Sequence, residues 1–302
     1  MVFLADSASK DFWDPVKQRR ILWGWSTGGA PKALPRELTY HPTLQSIVQH
    51  PVEELDELHE QVVTEIPSSI KLAAGEERHV GTANATDAVM TFVLPQLSTG
   101  EWCTFGFATQ GLVSPDGSNH SVLKDGFIVS INYTLPNASE VASGINYVDT
   151  AVSITARPAP PPHHADVDGD GDAARDAARR AHGGPRPPPP PSAPVPLLAL
   201  LTNETEVKLR VFTDGPGRSI EIYWMGGRKA ITKMWNSHDG QPLALPAGDW
   251  RGSMAIWNDA NSSAVVEMQS LKIWTMGSIW ATEEEVLATP RRDGVGGINE
   301  GI

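Results

Sequence analysis

Arg19-Arg20-Ile21-Leu22-Trp23-Gly24-Trp25, preceded by Ala8-Ser9-Lys10-Asp11-Phe12-Trp13-Asp14-Pro15, is the stretch around which this chain is organised. Ile21-Leu22-Trp23 is an apolar run bounded by Gly24 and by the turn cluster Gly28-Gly29-Ala30-Pro31. Runs of this composition closed by glycine and proline predict strands, so residues 7–40 read as short strands and turns. Leu34-Pro35-Arg36-Glu37-Leu38 and Gln49-His50-Pro51-Val52-Glu53-Glu54-Leu55 follow in order.

Working outward, the 302 residues suffice for one large domain or two modest ones. The net charge is -12, a balance that repels phosphate backbones and argues against nucleic acid as a partner. No apolar run approaches the ~18–20 residues of a membrane span. Met1-Val2-Phe3-Leu4-Ala5-Asp6 has neither the basic nor the apolar region of a secretory leader. Cys103 is the single cysteine, which excludes an intrachain disulfide and a cysteine-based zinc site. Six asparagines nevertheless stand in Asn-x-Ser/Thr sequons: Asn84, Asn119, Asn132, Asn137, Asn203 and Asn261. With serine and threonine at roughly 14% of the chain, chance gives about one or two, so these are candidate glycosylation sites of a luminal or exterior protein.

Further along, the period changes. Val52, Leu55, Leu58 and Val62 fall on one helical face with Glu53, Glu54, Asp56 and Glu57 outside, which predicts a linker helix over 51–63 within a 41–65 connection. Residues 66–156 and 197–282 are β in pattern. Val89–Leu94, Phe127–Tyr133, Val207–Asp214 and Ser219–Trp224 are β-branched and aromatic, and the last leads through Gly226-Gly227 into Ala230-Ile231-Thr232. Residues 157–196 carry prolines on both flanks and almost no large apolar side chains, so they read as a disordered insert. Residues 283–302 form a charged, then glycine-rich tail.

The ASK…DP…RRILWGW wording of residues 8–25 resembles the last propeller-blade motif of glycoside hydrolase family 32, the invertases, inulinases and fructosyltransferases. The resemblance extends to Tyr147-Val148-Asp149, with Thr150 where that family has arginine, to Leu209–Thr232, and to Ser270-Leu271-Lys272-Ile273-Trp274. It covers roughly residues 7–156 and 197–281. It implies an all-β chain: the remnant of the last blade of a five-bladed β-propeller (1–40), then a C-terminal β-sandwich. It also implies a β-fructofuranosidase type of activity on fructose-containing sugars, sucrose or fructans, in a secreted or vacuolar setting and with no cofactor.

Retaining chemistry of this kind needs two carboxyl groups about 5–5.5 Å apart. The three acids that the resemblance implies all precede the RRILWGW stretch, so no catalytic residue is expected in this chain, which reads as an N-terminally truncated form. Three look-alikes resolve into other roles. Asp14 belongs to the blade motif itself, Asp259 in Trp257-Asn258-Asp259-Ala260-Asn261 to a hairpin turn, and Glu101 is separated from Cys103 by Trp102. The resemblance places Trp25 near the fructose pocket, where its indole suits either stacking on a sugar or packing between blade and sandwich. Asp166–Asp172 resembles the start of a calcium loop, but the twelfth position is Ala177, and His163-His164 lack a partner at metal spacing, so no metal site is expected. A non-catalytic sandwich that binds sugar or a partner is the alternative function.

Overall fold

Paired strands begin almost at once. The computed structural model describes residues 6–26, 33–98, 101–113, 121–134, 147–156, 200–201, 204–214, 219–234 and 250–277. The insert at 157–196 and the tail at 283–302 lie outside them. β1 (Asp6–Asp14), β2 (Arg19–Ser26), β3 (Arg36–His41) and β4 (Ser46–Pro51) form an antiparallel four-stranded meander, the blade. A 3-10 helix, Glu53–Leu58, connects it to β5 (His59–Ile66) and β6 (Ile70–Leu72). Then come β7 (Glu77–Thr82), β8 (Ala85–Val93), β9 (Trp102–Val113), a one-turn α1 (Val122–Asp125) and β10 (Phe127–Thr134). The chain continues through β11 (Tyr147–Ala156), β12 (Leu200–Leu201), β13 (Glu206–Asp214), β14 (Ser219–Trp224), β15 (Lys229–Met234), β16 (Trp250–Asn258) and β17 (Val266–Met276).

These strands build a sandwich of two sheets. One runs β12-β11-β10-β9-β16-β7, the other β15-β14-β13-β8-β17-β5 with β6 also on β17. Alternation explains the core. Cys103, Phe105 and Phe107 of β9 face Met90 and Phe92 of β8 and Leu209 and Val211 of β13, all buried in one cluster. Phe92 and Phe105 meet with ring centres 5.2 Å apart. The expectation of an all-β chain, a single blade followed by a β-sandwich, holds.

The region between the two parts differs from the expectation. The blade sheet runs on to Pro51 rather than stopping at 40, because Arg36–His41 and Ser46–Pro51 pair as a hairpin. The helix expected over 51–63 is confined to Glu53–Leu58 and is 3-10, and residues 59–66 are strand. Val52, Leu55 and Leu58 are spaced by three, which is the 3-10 period. The following Val62-Val63-Thr64 is a β-branched run that pairs with β17 instead of adding a turn.

Candidate functional site

The blade meets the sandwich on the outer face of the seven-stranded sheet. Ile21 from β2 and Val52 and Leu55 around the 3-10 helix pack with Phe212 of β13 and Tyr223 of β14. Ser219–Trp224 is thus buried on both faces: Ile220 and Ile222 enter the main core, and Glu221 and Tyr223 lie under the blade. Glu221 is met there by Arg36, their side chains 5% and 4% exposed. Arg36 Nη2 donates to Glu221 Oε2 at 3.2 Å and to the Thr232 hydroxyl, and Nη1 donates to Gln49 Oε1 at 3.0 Å. The Leu34 N–H donates to Glu221 Oε1, and the Tyr223 hydroxyl to Oε2 at 2.9 Å. Burial pushes the Glu221 carboxyl up from its ordinary value, with the Arg36 charge opposing it. Burial likewise raises Tyr223, and the neighbouring Glu221 charge adds to it. Beside this clamp the Gln49 N–H donates to the Gly227 carbonyl at 2.7 Å. Gly227 has φ +98, and a Cβ there would stand 2.2 Å from the Gln49 oxygen, so the turn reaches β4 only as glycine.

A second group of charges rims the junction. Arg19 Nε donates to Asp14 Oδ2 at 3.1 Å, and its Nη2 to Glu54. Lys17 reaches Glu53 and, at 2.9 Å, Glu54. The Arg19 hydrogen bond is the chief reason that the Glu54 carboxyl falls to about 2. Asp14 Oδ1 accepts the Val16 and Lys17 N–H groups at 3.0 and 3.2 Å, capping the β1–β2 turn, and the Lys17 N–H is the main cause of its lowered pKa.

A third group resembles catalytic or metal chemistry. The ligand atoms of Asp56, His59 and Asp87 lie within 4.8 Å of one another. That spacing is close to a retaining carboxylate pair. These groups are already committed. Asp87 is fully buried and takes Arg210 Nε at 3.1 Å on both oxygens, Arg210 Nη2 at 2.6 Å and His59 Nε2 at 2.7 Å. The same guanidinium bonds Asp56. His59 is stacked on Trp274, ring centres 4.3 Å apart. Arg210 supplies the positive charge that a cation would bring, so the donor set does not fit a divalent metal, and neither carboxylate is free to attack.

On the blade, the face opposite Ile21 is open. The pairings Asp11↔Leu22, Arg20↔Leu38 and Tyr40↔Ile47 set these six side chains around a cavity of about 430 Å³. Asp11 and Arg20 are ion-paired, while Trp13 and Tyr40 are 59% and 64% exposed.

The residues singled out in the sequence are scattered. Trp25 lies on β2, and its side chain falls outside the described residues. Asn84, Asn132 and Asn261 are exposed, and Asn119, Asn137 and Asn203 lie outside the described residues. Asp259 accepts the Asn261 N–H at 2.8 Å in the β16–β17 turn, and Glu101 accepts the Ser98 N–H. Cys103 is a buried core residue. Arg36 and Glu221 were not singled out. The available signal was a glutamate between Ile220 and Ile222 in a strand with no polar face to spare.

No family model matches the chain. Among curated proteins, "Beta-fructofuranosidase, insoluble isoenzyme 2" of Daucus carota is 37% identical over 109 residues, 32% of this chain and 18% of that protein. "Beta-fructofuranosidase, insoluble isoenzyme 3" of Oryza sativa subsp. indica is 35% identical over 106 residues, 31% and 18% of the two chains. Among solved structures, fructan 1-exohydrolase IIa from Cichorium intybus superposes with TM-score 0.59 at 17% identity, over 90% of this chain and 48% of that one. The chain spans about half the length of that enzyme, and the matched residues under a fifth of the curated relatives. The RRILWGW blade, the sandwich it is clamped to and these relatives agree: the chain resembles the C-terminal portion of the β-fructofuranosidases of glycoside hydrolase family 32.

Proposed function

We propose that this chain serves as the blade-and-sandwich part of a β-fructofuranosidase-type glycosidase acting on sucrose or fructans. The carrying observation is the blade. The Ile21 face is used against the 3-10 helix, while the opposite face keeps Trp13, Tyr40 and Ile47 in the open, as in a sheet that stacks on a further blade. In this reading the carboxylate pair is supplied by blades other than the one described here. One carboxylate attacks the anomeric carbon to form a fructosyl-enzyme, and the other protonates the leaving oxygen and then activates water. The residues of this chain hold the last blade at a fixed angle through Arg36 and Glu221. Fructan 1-exohydrolase IIa was crystallised with 1-kestose, which supports a fructose-containing ligand. The insoluble isoenzymes among the relatives and the six sequons support an exterior or vacuolar location.

The test is the size of the native, deglycosylated polypeptide that carries residues 8–25, fractionated alongside sucrose hydrolysis. A species well above 32.6 kDa that co-fractionates with fructose release is expected. A single 32.6 kDa species without fructose release would favour the non-catalytic binding module.

A further inference from the structure

We propose that Asn132 carries an N-linked glycan whose first sugar lies over the indole of Trp102. The inference rests on the luminal or exterior location proposed above. Asn132, on the outward face of β10, is exposed, as is Thr134, the hydroxyl residue of its sequon. Asn132 pairs with Thr104 on β9 and with Ala151 on β11, and Thr134 pairs with Trp102. The side-chain period of two puts Asn132, Thr134, Thr104 and Trp102 on one face. Trp102 is therefore the diagonal neighbour of Asn132, at the roughly 7–8 Å Cα separation that a long substituent bridges. Trp102 is 41% exposed, and Thr104 between it and Gly106 on that face is a small residue. An apolar indole face next to a sugar acceptor is the platform that a pyranose ring covers with its C–H face.

The amide geometry separates Asn132 from Asn261. The Thr104 hydroxyl donates to Asn132 Oδ1 at 2.8 Å, which fixes the carbonyl and leaves Nδ2 without a partner among the described residues. Asn261 instead spends Nδ2 on Asp259 Oδ1 at 3.0 Å inside its own turn. Attachment is a transfer from a lipid-diphosphate-linked oligosaccharide. Asn132 Nδ2 bonds to the anomeric carbon, the bond from that carbon to the diphosphate oxygen breaks, the lipid diphosphate leaves, and the lost amide proton passes to the transferase. One N–H remains on Nδ2, and Oδ1 keeps its bond to Thr104.

The full native chain provides the test. Enzymatic glycan release in heavy-oxygen water converts each occupied asparagine to labelled aspartate, read by peptide mass spectrometry. Label at Asn132 is expected. Hydroxyl-radical footprinting of the folded protein before and after release should then show Trp102 oxidation rising about twofold or more, with buried Trp224 unchanged. Label at other sequons but not at Asn132 overturns the proposal and leaves the location standing. No label at any sequon overturns both. Label at Asn132 with unchanged Trp102 oxidation overturns the seating of the sugar.

Discussion

Replacing Arg36 by methionine removes the one charge among the described residues that is paired with the Glu221 carboxylate under the blade, and the size of the loss follows from the contacts. Arg36 gives up hydrogen bonds to Glu221, Gln49 and Thr232, while Glu221 keeps the Leu34 N–H and the Tyr223 hydroxyl. Breaking one side of so buried a pair costs about 3–5 kcal/mol; the two retained donors place Arg36→Met at the low end, about 3 kcal/mol. Glu221→Gln keeps an oxygen for both donors but strands the guanidinium, for about 2–3 kcal/mol. In the double variant no unpaired charge is left, so the two costs should fall short of adding by about 2 kcal/mol. Urea denaturation followed by near- and far-ultraviolet dichroism measures all four corners of the cycle, with the slope m checked for constancy. Acidification provides a second readout. The folded Glu221 pKa lies above its ordinary 4.5, so above that value the native state holds more protons than the unfolded one. Stability from this group therefore rises as pH falls through the folded pKa, and Arg36→Met should be partly rescued by acid. Additive single costs, or an Arg36→Met cost below about 1 kcal/mol, would refute the clamp as the element that joins blade to sandwich.

Gly227→Ala should cost about 2–4 kcal/mol by the same denaturation assay, since φ +98 and the 2.2 Å approach to the Gln49 oxygen both oppose a methyl group; a cost within 0.5 of zero would show the turn to be free to move. Glu54 has a folded pKa of about 2 against an ordinary 4.5, so its contribution is complete above 4.5 and is lost as pH falls toward 2. Because the Glu54 pair is partly exposed, Glu54→Gln should remove only about 0.5–1 kcal/mol at neutral pH and flatten the acid limb, and an unchanged limb would contradict this. Asp87→Asn should destabilise by about 3 kcal/mol, because it leaves Arg210 facing His59 without the buried carboxylate. Chelator and zinc should each leave Tm unchanged, and a rise with zinc would mean that Asp56, His59 and Asp87 release Arg210 to a metal.

Strands were legible where one face is wet. Val207–Asp214 alternates because Lys208 and Arg210 point out of the core while Val207, Leu209 and Val211 point in. The stretch 51–63 was not legible in the same way. A spacing of three is compatible with both an α-helical stripe and a 3-10 turn, and its acidic residues suit either. What decides it is tertiary: β17 offers an unpaired edge, and the β-branched run after His59 fills it. Local pattern carries no information about a partner strand more than two hundred residues away, and a helix of two 3-10 turns leaves too little sequence to announce itself.

The junction was harder still, for a reason that Arg36 and Glu221 make plain. They are 185 residues apart, and each sits in a strand where a charged residue ordinarily marks the wet face. Ser219–Trp224 has no wet face, so alternation alone assigns Glu221 to solvent and misses the blade above it. Burying that carboxylate is unfavourable by itself, and methionine or leucine would pack the same space at less cost. What the pair adds is direction. Arg36 holds one side chain from its own blade, Gln49, and two from the sandwich, Glu221 and Thr232, so the network is satisfied at one relative position of the two parts. An apolar contact such as Ile21 on Phe212 and Tyr223 tolerates sliding, whereas a guanidinium fork does not. Arg36→Lys therefore separates the two roles. It keeps the charge but loses the fork, so it should cost less stability than Arg36→Met while still speeding amide exchange at Val52 and Leu55. Exchange there as slow as in the unmodified chain would mean that charge alone, and not the geometry of the fork, sets the angle of the blade.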